Sequence, residues 1–103
     1  MKVELLHIED CPNSEVAAAR FREALNATGH SDANIVLRLL RTSAEAAGVP
    51  FAGSPTLTLD DEDLVPSEGR TSNLACRIYL TPDGLDGLPT TAQLVEAIRA
   101  RGY

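Results

Sequence analysis

The chain has 103 residues, enough for one domain and too few for two. A hydrophobic share of 44% is that of a globular core, while an aromatic share of 4% leaves the filling to Leu, Val, Ile and Ala, which suits helices packed on a sheet. The formal net charge of −6, from 15 acidic and 9 basic residues without a basic cluster or aromatic platform, argues against a nucleic-acid partner.

The opening Met1-Lys2-Val3-Glu4-Leu5-Leu6-His7 is broken by Glu4 and His7, so it lacks the continuous apolar core of a signal peptide. No stretch approaches the roughly 20 apolar residues that span a bilayer. The expected setting is the cytoplasm, away from membranes. There the two cysteines are more often reactive or metal-binding than structurally bridged.

Lys2 to Ile8 reads as a central strand, with Val3 and Leu5 on one face and Leu6 and Ile8 on the other. A helix is expected after Cys11, with Pro12 in its first turn and Gly29 at its stop. Val16, Ala17, Phe21, Ala24, Leu25 and Thr28 carry its apolar spacing. Ile35 to Arg41 predicts a second strand, parallel to the first across a right-handed crossover. Thr42-Ser43-Ala44-Glu45 reads as a capping box opening a short helix that ends near Gly48.

Pro55 to Asp60 alternates as a third strand would, and Asp60 to Asp63 makes a turn that is expected to be solvated rather than calcium-binding. Leu64-Val65 is placed at the start of a short returning edge strand. An irregular insert is expected at about 66–89, with an extended piece at Arg77 to Leu80 and turn chemistry at Pro82-Asp83-Gly84. Thr90-Thr91-Ala92-Gln93 forms a second capping box, and Leu94, Val95 and Ile98 carry the last helix to about Arg101. The order is β-α-β-α-β-β, an insert, then α, in a single α/β domain spanning the chain.

Cys11 is the sharpest chemical candidate, because free N–H groups and the macrodipole at a helix N-terminus favour a thiolate. Glu9 and Asp10 push the other way. A modest net lowering of the thiol pKa is expected. Ser14, three residues on, could donate a hydrogen bond to that thiolate, or serve as an ordinary first-turn polar residue. Cys76 could resolve a mixed disulfide at Cys11 if the fold brings them together, or fill a small buried apolar position. His7, late in the first strand, is expected in the core, with an approach to Cys11 as the alternative, and His30 is expected in solvent.

A thiol opening the first helix, followed by Gly53-Ser54-Pro55-Thr56 opening the third strand, resembles the thioredoxin-like superfamily. That resemblance implies a three-layer sandwich and a cis peptide bond before Pro55, beside the thiol. It also implies that the backbone at Ser54 pairs with an extended peptide or glutathione. Pro12, Ser54 and Pro55 would then contact substrate, with Cys11, Ser14 and Cys76 carrying the chemistry. The Cys11-Pro12-Asn13 opening and the later Cys76-Arg77-Ile78-Tyr79 segment look most like small bacterial thioredoxin-like proteins linked by similarity to the alkylmercury lyases. Those lyases use two cysteines and an acid three residues after the first. Cys11 and Cys76 match the cysteines and Thr90 lies in a similar later segment, but Ser14 stands in the acid's place, where protonolysis needs a proton donor.

Three functions follow as expectations. The first is thiol–disulfide exchange through Cys11 on a protein or small-molecule disulfide, without a resident cofactor or metal. The second is soft-metal or organomercurial handling by Cys11 and Cys76. The third is a non-catalytic interaction module.

Overall fold

The computed structural model describes residues 1–66 and 74–103. Among these residues the elements run β1 (Val3–Ile8), α1 (Ser14–Ala27), β2 (Ile35–Leu40), α2 (Ser43–Ala47), β3 (Thr56–Leu59), β4 (Glu62–Asp63), β5 (Tyr79–Thr81), β6 (Gly84–Asp86) and α3 (Thr91–Ala100). Four strands form one mixed sheet in the order β2-β1-β3-β4. β2 runs parallel to β1, from Val3 opposite Ile35 to Ile8 opposite Leu40. β3 runs antiparallel to β1, with Val3 opposite Leu59 and Leu6 opposite Thr56.

The alternation in β1 sends its apolar side chains to two separate cores. Val3 and Leu5 join Phe21, Ala24 and Leu25 of α1, Leu57 and Leu59 of β3, and Leu94 and Ile98 of α3. Leu6 joins Leu40, Ala46 of α2, Val49 and Phe51 on the opposite face. A central strand covered on both faces needs this pattern. Helices α1 and α3 therefore share one face of the sheet, and α2 lies against the other.

Several expected boundaries move. Pro12 precedes α1 rather than entering it, because Asn13 is the N-cap and the helix opens at Ser14. Thr42 caps α2 as expected, accepting from the Glu45 N–H at 3.1 Å, but the Glu45 carboxylate accepts from the Arg41 N–H instead of closing the box on Thr42. The returning strand is Glu62–Asp63, earlier than the expected Leu64-Val65. Asp60 and Asp61 both take left-handed conformations, with φ of 52° and 66°. Such a two-residue turn reverses the chain at once, so pairing with β3 starts at Glu62. His30, expected in solvent, is half-buried with its ring edge-on to Tyr103 at 5.7 Å.

The expected insert is partly ordered by pairing. Residues 67–73 lie outside the described residues. Beyond them, β5 and β6 make an antiparallel hairpin around Pro82-Asp83, with Leu80 opposite Leu85. No helix among the described residues is long and apolar enough to cross a membrane.

The last helix has the full capping box. Thr90 accepts from the Gln93 N–H at 3.1 Å, and Gln93 accepts from the Thr90 N–H at 2.8 Å. Its Leu94 and Ile98 are wholly buried against α1 and the sheet, so fraying here opens the main core. Replacing Thr90 by Ala should cost about 1 kcal/mol. A urea titration should show this as a lower midpoint with an unchanged slope.

Candidate active site

β1 ends at Ile8, and Asp10 (φ 55°) turns the chain sharply enough to set Cys11 ahead of α1. Asp tolerates that conformation better than most residues. Cys11 is half-buried, and Ser14 is buried one helical turn further on. Across from them, the Ser54–Pro55 peptide bond is cis, as the resemblance implied. The Ser54 side chain is wholly buried, and its Oγ accepts from the Ile8 N–H at 3.1 Å. That leaves its O–H free to donate to the Cys11 sulfur.

The electrostatics at the sulfur are a contest. Partial burial pushes the Cys11 thiol up; the Ser14 hydroxyl, the Ser54 hydroxyl and the backbone N–H groups of Asn13 and Ser14 pull it down. The donors win, and the pKa lies below that of an ordinary thiol. Ser14 Oγ makes no hydrogen bond in the resting arrangement although it is buried. A thiolate is the acceptor this hydroxyl lacks. Glu9 and Asp10 are both exposed, and Glu9 pairs with Arg41 at 3.3 Å, so the acidic neighbours are solvated.

The Ser54 backbone departs from expectation. Its N–H donates to the Ala75 carbonyl at 2.8 Å, and its carbonyl accepts from the Arg77 N–H at 2.9 Å. Cys76 thus stands opposite Ser54 in a parallel bridge. The chain's own segment fills the pairing position assigned to substrate. Cys76 is neither a buried core residue nor bridged: its side chain is exposed, and both thiols are free. Pro55 is buried and Pro12 exposed, so of the pair only Pro12 presents a surface.

Two residues that sequence reasoning left without a role hold this strap in place. The Arg77 guanidinium is buried, meets the Asp63 carboxylate at 2.9 Å, donates to the Val65 carbonyl and lies 4.3 Å from the centre of the Tyr79 ring. The Tyr79 hydroxyl donates to the Pro55 carbonyl, and burial pushes its pKa far up, so it stays a donor at any ordinary pH. Arg77 and Tyr79 point inward while Ile78 and Leu80 are exposed, the two-residue period of an extended chain. That alternation was the available signal.

His7 does not sit in the core. It lines, with Cys11, Ser14, Leu37 and Leu39, a cavity of about 470 Å³ between the sulfur and the β2 edge. Thr90 is the N-cap of α3. Among the described residues no group of three or more His, Cys, Asp or Glu could hold a metal ion. Comparison with family models, with curated proteins and with solved structures finds no match.

Gly53 has a φ of 112°, and a Cβ there would lie 2.8 Å from the Arg77 Cβ. Gly53→Ala should therefore cost more than about 1 kcal/mol. Asp63→Asn should cost roughly 3 kcal/mol by removing the carboxylate charge that meets a buried guanidinium at 2.9 Å. Amide hydrogen exchange at Arg77 should accelerate in both variants, reporting release of the strap from Ser54.

Proposed function

We propose that this chain is a thioredoxin-like monothiol protein that performs thiol–disulfide exchange through Cys11 in the reducing cytoplasm. The observation that carries the reading is the set of donors around the Cys11 sulfur, which favours the thiolate against the cost of burial. A thiolate, not a thiol, is the nucleophile toward a disulfide. The strand order β2-β1-β3-β4, the helices on both faces and the cis bond beside the thiol support the thioredoxin-like assignment. Two free cysteines suit a reducing compartment.

In this reading Cys11 attacks a disulfide sulfur, forms a mixed disulfide and releases the other half as a thiolate. Ser54 and Ser14 hold the attacking charge before the new bond forms. Ser14 has no thiol to displace the bound half, so a small thiol from solution completes the cycle. Soft-metal capture by Cys11 and Cys76 is a second reading, favoured by the bridge that sets Cys76 opposite Ser54. It predicts stoichiometric mercuric-ion binding that either Cys→Ser substitution weakens.

The test is alkylation of reduced protein by iodoacetamide across pH, read for each cysteine by mass spectrometry. Cys11 should reach half its full rate at a pH below that of a free cysteine peptide treated alongside. A midpoint at or above the peptide's would sink the reading. Ser14→Ala should move the midpoint up and slow alkylation at neutral pH severalfold. At acid pH, where the thiol is protonated, its thermal midpoint should hold or rise, because a buried hydroxyl without a partner has been removed; at alkaline pH it should fall, because the thiolate has lost a donor.

A further inference from the structure

The two approaches to Cys11 differ in chemistry. On the Ser54 side, a polypeptide disulfide would need free backbone donors and acceptors to hold its chain in an extended conformation. The Ser54 N–H and carbonyl are both taken by Ala75 and Arg77. On the β2 side lies the cavity of about 470 Å³, a size that holds a small molecule. Leu37 and Leu39 supply apolar lining, and Leu37 is 52% exposed. Glu9, Asp10 and Glu15 also line it, and among the described residues the ion pair made by these acids is that of Glu9 with Arg41.

We propose that the substrate of Cys11 is a small disulfide with short apolar arms and a positive charge, seated against Leu37 and Leu39. This rests on the thiolate reading above. The Cys11 thiolate attacks one sulfur, making a Cys11–S–S–R mixed disulfide. The other arm leaves with the bonding electron pair as a thiolate and takes a proton from water. Cys11 is oxidised and the substrate disulfide is reduced. A second small thiolate then attacks the mixed disulfide, carries R away as a new disulfide and restores the Cys11 thiolate. The carboxylates disfavour an anionic disulfide, and the sealed Ser54 edge disfavours one carried on a polypeptide.

The test uses the full reduced chain with cystamine, a dication, bis(2-hydroxyethyl) disulfide, which is neutral, and glutathione disulfide, which is anionic. A disulfide-linked peptide is the fourth probe. Each rate of mixed-disulfide formation at Cys11 is divided by the rate of a free cysteine peptide with the same probe. It is divided again by the iodoacetamide rate of the same protein. Cystamine should exceed glutathione disulfide by about tenfold, with the neutral probe between, and the gap should shrink in high salt. Leu37→Ser should slow cystamine and the neutral probe, and Glu15→Gln should narrow the charge preference. Equal normalised rates for all four probes, or a faster peptide, would overturn the substrate class while a fast iodoacetamide reaction left the thiolate reading standing. A Cys11 no faster than the free peptide with iodoacetamide would overturn both.

Discussion

The Arg77 guanidinium holds together parts of the chain that no secondary-structure element connects. It is buried under the strap, meets Asp63 of β4 and the Val65 carbonyl, and lies over the Tyr79 ring. Burying a guanidinium is costly unless charge and hydrogen bonds compensate for the lost water. Asp63 and the Val65 carbonyl both contribute to that compensation, so lifting the strap from the sheet edge breaks an ion pair and a hydrogen bond together. The close approach at Gly53, which admits no Cβ, brings the strap backbone within hydrogen-bonding reach of Ser54. Ser54 is thereby fixed from its backbone, and its hydroxyl is fixed by Ile8. The placement of a donor beside Cys11 follows from those two restraints.

Preorganisation of this kind matters because the sulfur is partly buried. Burial alone would make the thiol weaker as an acid. Donors that had to be recruited from flexible positions would lose entropy on turning toward the charge. Ser54 is locked, and the N–H groups of Asn13 and Ser14 belong to the turn that opens α1. Only the Ser14 hydroxyl has freedom to turn, and it is buried with no competing acceptor. The thiolate therefore gains charge-assisted hydrogen bonds without rearrangement of the backbone.

Much of this was legible in the sequence, for definite reasons. β1 and α1 announce themselves because their apolar positions repeat at the period of the element, and both capping signatures sit where helices start. Cys11 and Ser14 were found because a thiol ahead of an amphipathic helix has a local signature. The turn at Asp60 to Asp63 was legible from its run of acids, but its length was not, because charge alone does not show that Asp60 and Asp61 take left-handed conformations and let pairing begin at Glu62. The pairing of Ser54 with Ala75 and Arg77 was not legible at all. It joins positions far apart along the chain through backbone groups, which every residue type supplies. The role of Arg77 was hidden for a related reason: a basic residue between a cysteine and an isoleucine is solvated by default, and only the fold brings Asp63 to it.

If Cys11 performs the proposed exchange, sealing one side of its sulfur and leaving the other open has a mechanistic consequence. In-line attack on a disulfide needs the leaving sulfur to lie opposite the nucleophile. A partner held along the Ser54 edge would fix that line from the backbone. With the edge occupied, the line must be set by contacts on the β2 side, where Leu37 and Leu39 offer apolar area and the carboxylates of Glu9, Asp10 and Glu15 set the sign of the field. Apolar contact is non-directional, so orientation there falls to charge. A cationic group drawn toward those acids would turn the disulfide axis relative to Cys11. In the proposed exchange chemistry, the same strap that fixes the donor at Ser54 moves the choice of substrate to the opposite wall, and Arg77 anchors that strap through Asp63 and the Val65 carbonyl.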